Sequence, residues 1–376
     1  MSMGKICIIG GKLQGFEVTY LAHKADIDVL LIDRKENPFI RSLVDTFCCF
    51  DIIEHPEKLI DISKLVDAII PVNENPVTIE FLNNIKKELS CPLLFDFGAY
   101  FISMDKKRSK DYFRSLGILA PQDKPEKPPY FVKPPCDSSS VGTSIIYSDR
   151  ELEGLDPSML IEEYVKGNII SLEVVGDGSN FTVVKETRIH IDDTYDCHMV
   201  TPIGIYPGFR NISYQLAKNI SLKGIMDVEA IDSPDGLKVI EIDARFPSQT
   251  PTVVYHSTGI NMVEILLKAF SEGVTGTEEI SDSGYCIYEH LMQIDGDLIP
   301  VGEHVLSQGE EYAEFYICED FEIFESRAKD QNSVFTVISL GADPEEAEKV
   351  RSRAILHIKE LSELIEKGDL NGTFDT

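Results

Sequence analysis

No pair among the eight cysteines (positions 7, 48, 49, 91, 136, 197, 286 and 318) stands at CxxC spacing, and the eight histidines form no HxxxH or HExxH pattern. These absences argue against the common zinc sites. Adjacent Cys48 and Cys49 are poorly placed for a disulfide, and cysteines in apolar runs, such as Cys7 in KICIIG, read as reduced small hydrophobes. Basic residues are scarce: 35 Lys and Arg face 64 Asp and Glu, a net charge of -29 that leaves no footprint for nucleic acid. Apolar runs such as Val29–Ile32 and Ala68–Ile70 are strand-sized and far short of a membrane span. The opening MSMGKICIIGGK has no basic flank ahead of a long apolar run, so no signal peptide and a cytoplasmic protein are expected.

What is present is ordinary for a globular enzyme: 43% hydrophobic and 26% charged residues, in a 376-residue chain long enough for two to four compact units. KICIIGGKLQG, a helical stretch and IDVLLIDR make a β-turn-α-β unit. DAIIPVNEN adds a strand, PVTIEFLNNIKKEL a helix and CPLLFDFG a further strand, so residues 1 to about 100 read as an open α/β sheet domain. Glycines at 10, 11 and 15 miss the dinucleotide fingerprint because position 12 is Lys, although Asp33 closes the second strand. A tight turn is the favoured reading there. A helix over 103–117 and the proline-rich QDKPEKPP lead into strands around YFVKPPCDSSSVGTSIIYS and MLIEEYVKG. A hairpin turns at Gly176-Asp177-Gly178, a helix lies near 211–223, and GIMDVEAI precedes VIEIDARFP. From about 277, short strands lead to the long amphipathic helix PEEAEKVRSRAILHIKELSELIEKG.

The stretch VIEIDARFPSQTP (239–251) concentrates the chemistry. Val239, Ile240 and Ile242 read as buried strand, while Glu241, Asp243 and Arg245 alternate onto one face. A surface salt bridge would explain that, at about 0–1 kcal/mol. So would a divalent-cation site. Glu229 in MDVEAI sits on the neighbouring antiparallel strand and can face Glu241 and Asp243. Three converging carboxylates repel one another unless a cation joins them, which favours the metal reading. In FVKPPCDSSSVGTS, Lys133 ends a strand before a hydroxyl-rich loop that can cradle phosphates, or serve as a plain hairpin loop. LIEEYVKG and Lys106, at a helix start, carry little alone.

In order and spacing these segments resemble the ATP-grasp ligases, which join a carboxylate to an amine through an acyl phosphate. The resemblance spans essentially the whole chain. It implies an N-terminal open parallel-sheet (pre-ATP-grasp) domain at 1–100 and a central two-lobed ATP-grasp domain at 101–276, with its small lobe at about 119–165. A smaller C-terminal α+β domain follows at 277–376. It also implies ATP and Mg2+. Lys106 and Lys133 would contact phosphates under a mobile lid of Asp137, Ser138, Ser139, Ser140, Val141 and Gly142. Glu162, Glu163 and Val165 would line the adenine pocket, with Glu173 as the nearest candidate for a ribose-binding acid. Glu229, Glu241 and Asp243 would hold Mg2+, with Asp at 243 where members often have Asn. Arg245, with Lys133, would be catalytic, steadying the acyl phosphate.

Within the family the resemblance points to amino-acid substrates, an ornithine-like D-amino acid and L-lysine. It implies no nucleic-acid or membrane partner and leaves a homodimer open. Gly11, Lys12, Val72 and Asn73 lie at strand ends where open α/β sheets bind ligands. Glu186, Arg188, Arg210 and Ser248, with Gln249, are the other substrate candidates. The competing readings are a carboxylase or purine-pathway synthetase, a nicotinamide-dependent amino-acid oxidoreductase, and a non-catalytic nucleotide-binding protein.

Overall fold

A computed structural model describes residues 4–135, 142–274, 280–307, 309, 312–328 and 332–366. The N-terminal region runs β1 (Lys5–Ile9), α1 (Leu13–His23), β2 (Asp28–Asp33), β3 (Thr46–Cys49), α2 (Pro56–Ile62), β4 (Ala68–Pro71), α3 (Pro76–Ile85), α4 (Phe97–Ser103) and α5 (Lys106–Ser115). Its strands form a parallel sheet in the order β3-β2-β1-β4. The near-continuous apolar runs of β1, β2 and β4 follow from burial on both faces. Asn75 and Asp105 cap α3 and α5 by accepting first-turn N–H groups.

The β1–α1 turn is the tight one expected. Gly10 has φ +112°, and a Cβ there would lie 3.0 Å from the Val72 carbonyl oxygen. Asp33 accepts the Gly11 N–H and the Lys35 N–H, each at 2.9 Å, so this acid is explained by holding the turn. CPLLFDFG is not the strand expected. Leu93 makes an isolated bridge to Ile69, since Pro92 has no N–H to donate and Asp96 already caps α4.

The small lobe holds β5 (Tyr130–Lys133), β6 (Ser144–Ile146), α6 (Asp149–Leu152) and β7 (Leu160–Glu163), an antiparallel sheet in the order β6-β5-β7 over a core of Tyr130, Val132 and Ile146. The large lobe follows: β8 (Asn168–Asp177), β9 (Phe181–Ile191), β10 (Cys197–Pro202), α7 (Pro207–Asn219), β11 (Lys223–Ser233), β12 (Gly236–Asp243), α8 (Thr250–Thr258) and α9 (Met262–Ser271). The chain continues with β13 (Tyr285–Ile294), β14 (Asp297–Pro300), α10 (Glu303–Ser307), β15 (Ala313–Ile317), β16 (Phe321–Arg327), β17 (Ser333–Gly341) and α11 (Pro344–Glu366).

One sheet joins the last two regions, in the order β12-β11-β8-β9-β10-β13-β17-β16-β15, with β14 paired to β13. The strands after residue 277 therefore extend the large-lobe sheet through the β10–β13 pair. Helices α8 and α9 were not expected. Gly259, at φ +76°, ends α8, and Asn261 caps α9. They bury Val253, Val254, Leu266 and Leu267 in one apolar cluster with Phe16 of α1 and Tyr288 and Ile338 of the sheet. That cluster fixes the N-terminal region against the rest. Among the described residues, no helix is long and apolar enough to cross a membrane.

Candidate active site

Between the small lobe and one face of the large sheet lies a cleft with a cavity volume of about 260 Å³. Its floor is written in the strand register. Ile169 on β8 pairs with Ile189 on β9 and Ile231 on β11; further along, Glu229 pairs with Glu241, and Asp227 with both Asp243 and Glu173. The floor thus passes from apolar to acidic within a few residues. With Phe131, Pro121 and Val165 opposite, the apolar end suits a planar base, as ligand sites usually combine apolar walls with a few polar groups.

The pairing of β11 and β12 slips between Glu229 and Ala230, leaving Ile240 as the extra residue. This bulge makes the expected burial of Ile240 wrong: Ile240 and Glu241 both reach the cleft, while Val239 and Ile242 are buried beneath. Glu229, Glu241 and Asp243 all line this end, although among the described residues no three acids close into a metal-holding group. Burial, with Asp227 next in effect, pushes Glu229 well above the usual carboxylate range. Asp243 is pushed up to about 8 by burial, with Glu241 and Glu74 adding to it and Arg245 opposing. Asp227, buried and hydrogen-bonded by Ser171, was missed; burial moves it to about 6.

Among the described residues, three cations line the same cleft. Lys106, the first residue of α5, places its ammonium 2.9 Å from Glu241, which answers the unfavourable position of a cation at a helix start. Burial opposes its charge, but Glu241, Asp243 and Glu229 outweigh that and raise its pKa. Lys133 lies 3.0 Å from Glu162, whose other oxygen is 2.8 Å from Lys110. Glu162 therefore fixes two lysines at the cleft wall. Glu163 accepts from the Gln122 N–H and pairs with Lys238. The Arg245 guanidinium pairs with Glu74 from the loop after β4, and with Asp243 at 3.2 Å.

Beyond Arg245, Ser248, Gln249 and Thr250 line the cleft together with Asp196, Cys197 and Glu303. Glu303, contributed by α10, accepts from the Ser248 hydroxyl at 2.9 Å and from the Gln249 amide at 3.3 Å. Neither Glu303 nor Glu74 was expected, because each comes from a segment remote in sequence from the metal strand.

Several candidates lie elsewhere. Ile189 and Ile191 face the cleft, so the alternate residues Glu186 and Arg188 on β9 point away from it. Glu186 is fully buried and binds Arg210 through two hydrogen bonds of 2.9 and 2.8 Å, plus the Tyr206 N–H. This buried ion pair anchors α7 to β9 and has no opening to the cleft. Glu173 is on the cleft-side face but wholly buried, with the Thr250 hydroxyl as its hydrogen-bonding neighbour; burial and Asp227 push it up to about 8 against that donor. Gly11, Lys12, Val72 and Asn73 sit at the strand ends of the N-terminal sheet, outside the lining of this cleft. The Asn73 amide donates to the Ile9 carbonyl, and Glu74 next to it reaches Arg245. Asp137, Ser138, Ser139, Ser140 and Val141 fall outside the described residues; Gly142 has φ +77°.

The profile of the ATP-grasp domain family matches residues 103–249. The chain is 60% identical over 359 residues to the 3-methyl-D-ornithine–L-lysine ligase of Methanosarcina barkeri, covering 95% of this chain and 98% of that protein. Among solved structures it superposes on the N5-carboxyaminoimidazole ribonucleotide synthetase of Thermus thermophilus with a TM-score of 0.69 at 15% identity, covering 93% of this chain and 97% of that one. The biotin carboxylase domain of Hydrogenobacter thermophilus 2-oxoglutarate carboxylase, solved with MgADP and bicarbonate, gives 0.69 at 17% identity, covering 95% and 90%.

Proposed function

The chain belongs to the ATP-grasp ligases and, among them, to the 3-methyl-D-ornithine–L-lysine ligases, and from that membership we propose how its cleft joins two amino acids. The enzyme forms an amide between the carboxylate of 3-methyl-D-ornithine and the ε-amine of L-lysine, a step of pyrrolysine biosynthesis, with ATP as phosphoryl donor. The observation that carries this reading is the identity across nearly the whole chain, joined to a cleft whose lysines and acids suit phosphoryl transfer. We read residues 1–100, 101–276 and 277–376 as the three units of the enzyme.

ATP lies with its base against Ile169, Ile189, Ile231 and Ile240, and its phosphates toward Lys106 and Lys133. Arg245 orients the carboxylate of the D-amino acid, as a guanidinium fork suits a carboxylate. A carboxylate oxygen attacks the γ-phosphorus, the bond to the β-phosphate oxygen breaks, and ADP leaves. The lysine ε-ammonium first gives a proton to solvent; the neutral amine then attacks the acyl carbon, phosphate departs with the bonding pair, and the second N–H proton passes to the departing phosphate as the amide forms. Lys106, Lys133 and Arg245 offset the charge that builds on the transferring group.

The crowded acids fit a hard divalent ion. Glu229, Glu241 and Asp243 offer oxygen donors, and their mutual repulsion is what such an ion relieves. Among the described residues no three acids converge into a ready cage, in keeping with an ion that substrate phosphates complete. When bound, Mg2+ neutralises phosphate charge and polarises the phosphorus.

The test is ADP release with Mg2+ and ATP across amino acids given singly and with lysine. ADP that requires an ornithine-like D-amino acid, with an amide detected by mass once lysine is added, is the expected result. ADP release indifferent to the amino acid would sink it.

A further inference from the structure

We infer that Glu303 recognises an ammonium group of the diamino-acid substrate, in a subsite just beyond Arg245; this rests on the ligase reading above. A diamino acid brings one carboxylate and two ammonium groups. The cations lining the cleft are Lys106, Lys133 and Arg245, and the lysines stand at the acids and lobe of the nucleotide side. Arg245 is left for the substrate carboxylate. An ammonium bound alongside needs a carboxylate outside the Glu229–Glu241–Asp243 row, and Glu303 lines the cleft from a different element.

Its position is built in layers. Glu303 Oε2 accepts from Ser248 Oγ at 2.9 Å and Gln249 Nε2 at 3.3 Å. Gln249 is buried at φ +67°, a backbone conformation that a non-glycine residue keeps where surrounding contacts enforce it. Its amide has one workable orientation. The oxygen accepts from the Cys197 thiol, while the two N–H groups reach His290 Nε2 at 3.0 Å and Glu303. His290 Nδ1 then donates to Thr336 Oγ1 at 2.9 Å, and burial holds the ring neutral, pushed down to about 3. Flipping the amide would turn its oxygen onto the Glu303 carboxylate. Such support fixes a recognition carboxylate before substrate arrives, which limits the entropy lost on binding.

Thr250 lines the same end of the cleft, is 3% exposed, and turns its hydroxyl to the buried Glu173 carboxyl, so it is taken up within the protein and leaves Glu303 as the acid facing a ligand there. Glu303 and Arg245 line the same cleft, with Ser248, the hydrogen-bond donor to Glu303, three residues beyond Arg245, so one small molecule can touch both.

The experiment compares wild type, Glu303→Gln and Ser248→Ala in ADP release with Mg2+, ATP and one of three acids. These are D-ornithine, 5-aminopentanoate without the α-amine, and D-norvaline without the δ-amine. Losing one partner of a buried charge pair costs about 30-fold or more. Glu303→Gln should raise the D-ornithine KM by about that factor, leave the ATP KM within about twofold, and erase the preference for D-ornithine over one deaminated acid. Ser248→Ala should move the same preference by less. Equal slowing with all three acids, or a preserved preference, overturns the assignment. The melting shift given by MgATP must match wild type, and Glu303→Asp replaces Glu303→Gln if the latter does not fold. Should wild type release no ADP with any diamino acid, the ligase reading fails and Glu303 with it; a wild type that does so beside a Glu303→Gln that keeps its preference removes Glu303 alone.

Discussion

Lys106 and Lys110 stand one turn apart on α5 and reach opposite walls of the cleft: the Lys106 ammonium lies 2.9 Å from Glu241 on the large sheet, and that of Lys110 2.8 Å from Glu162 on the small lobe. The i,i+4 spacing puts both on one helix face. A single helix thereby ties the acidic strand of the large sheet to β7 of the small lobe. Lys110 also pairs with Asp123, which binds Arg114, so the small-lobe end of this tie is a network.

Replacing Lys110 by Met removes the tie while every residue lining the cleft keeps its identity. Lys110 is 7% exposed and Glu162 3%, and breaking a buried pair costs up to about 3–5 kcal/mol, less here because Glu162 keeps Lys133. The urea midpoint should fall, and the ATP KM should rise about tenfold with a smaller change in kcat. An ATP KM equal to wild type would show that Lys110 does not position Glu162 and Lys133.

Glu241→Gln separates folding from chemistry. Glu241 raises the pKa of both Glu229 and Asp243, so neutralising it relieves repulsion in the apo protein even as Lys106 loses its charged partner. The melting temperature should stay within a few degrees, while ADP release falls by about 1000-fold, the scale on which electrostatic stabilisation of the transition state acts. Chelating divalent ions from wild type should give the same loss, reversed by Mg2+. Near-normal turnover by Glu241→Gln would remove it from the metal site.

Glu17 makes stability depend on pH from outside the cleft. This fully buried acid of α1 accepts the Thr252 N–H and hydroxyl at the start of α8, and burial pushes it up to about 7 against those donors. A carboxyl with a raised folded pKa binds its proton more tightly in the native state. Its contribution is therefore whole below the unfolded value of 4.5 and is lost as pH rises through about 7. Wild type should lose on the order of 3 kcal/mol relative to Glu17→Gln between those limits, since Gln keeps an oxygen for Thr252 and does not titrate. A stability difference flat across pH 4.5–7.5, read by urea unfolding, would contradict this.

The acids of the cleft were legible because they lie on two strands joined by a short turn, so side-chain alternation places Glu229, Glu241 and Asp243 together. The same alternation misplaced Ile240, since a bulge adds a residue without altering composition. Glu74 and Glu303 left no signal, because Glu74 reaches Arg245 and Glu303 reaches the cleft through long-range packing. Helix α8 was hidden as well: its apolar residues are buried on several sides, so TPTVVYHST shows little helical periodicity to read, whereas α9 carried a legible signal in its Asn261 cap and the apolar face of Met262, Val263, Leu266 and Leu267. Glu186 and Arg210 carried the charges of a substrate site, but strand parity turns Glu186 to the far side of the sheet.

That reversal has a consequence for Arg210. Its guanidinium makes two hydrogen bonds to Glu186 and others to the Val183 and Val184 carbonyls, all beneath α7. Arg210→Ala strands a fully buried carboxylate that keeps the Tyr206 N–H as a donor. The expected loss is about 3–5 kcal/mol of stability. Removing both charges together, as Arg210→Met with Glu186→Leu, should restore much of it, because an apolar pair of similar volume carries no unpaired charge. The KM values for ATP and both amino acids should stay within about twofold in the double variant, measured below its melting transition, because neither side chain opens to the cleft. A large rise in an amino-acid KM in the stable double variant would return Glu186 and Arg210 to substrate binding.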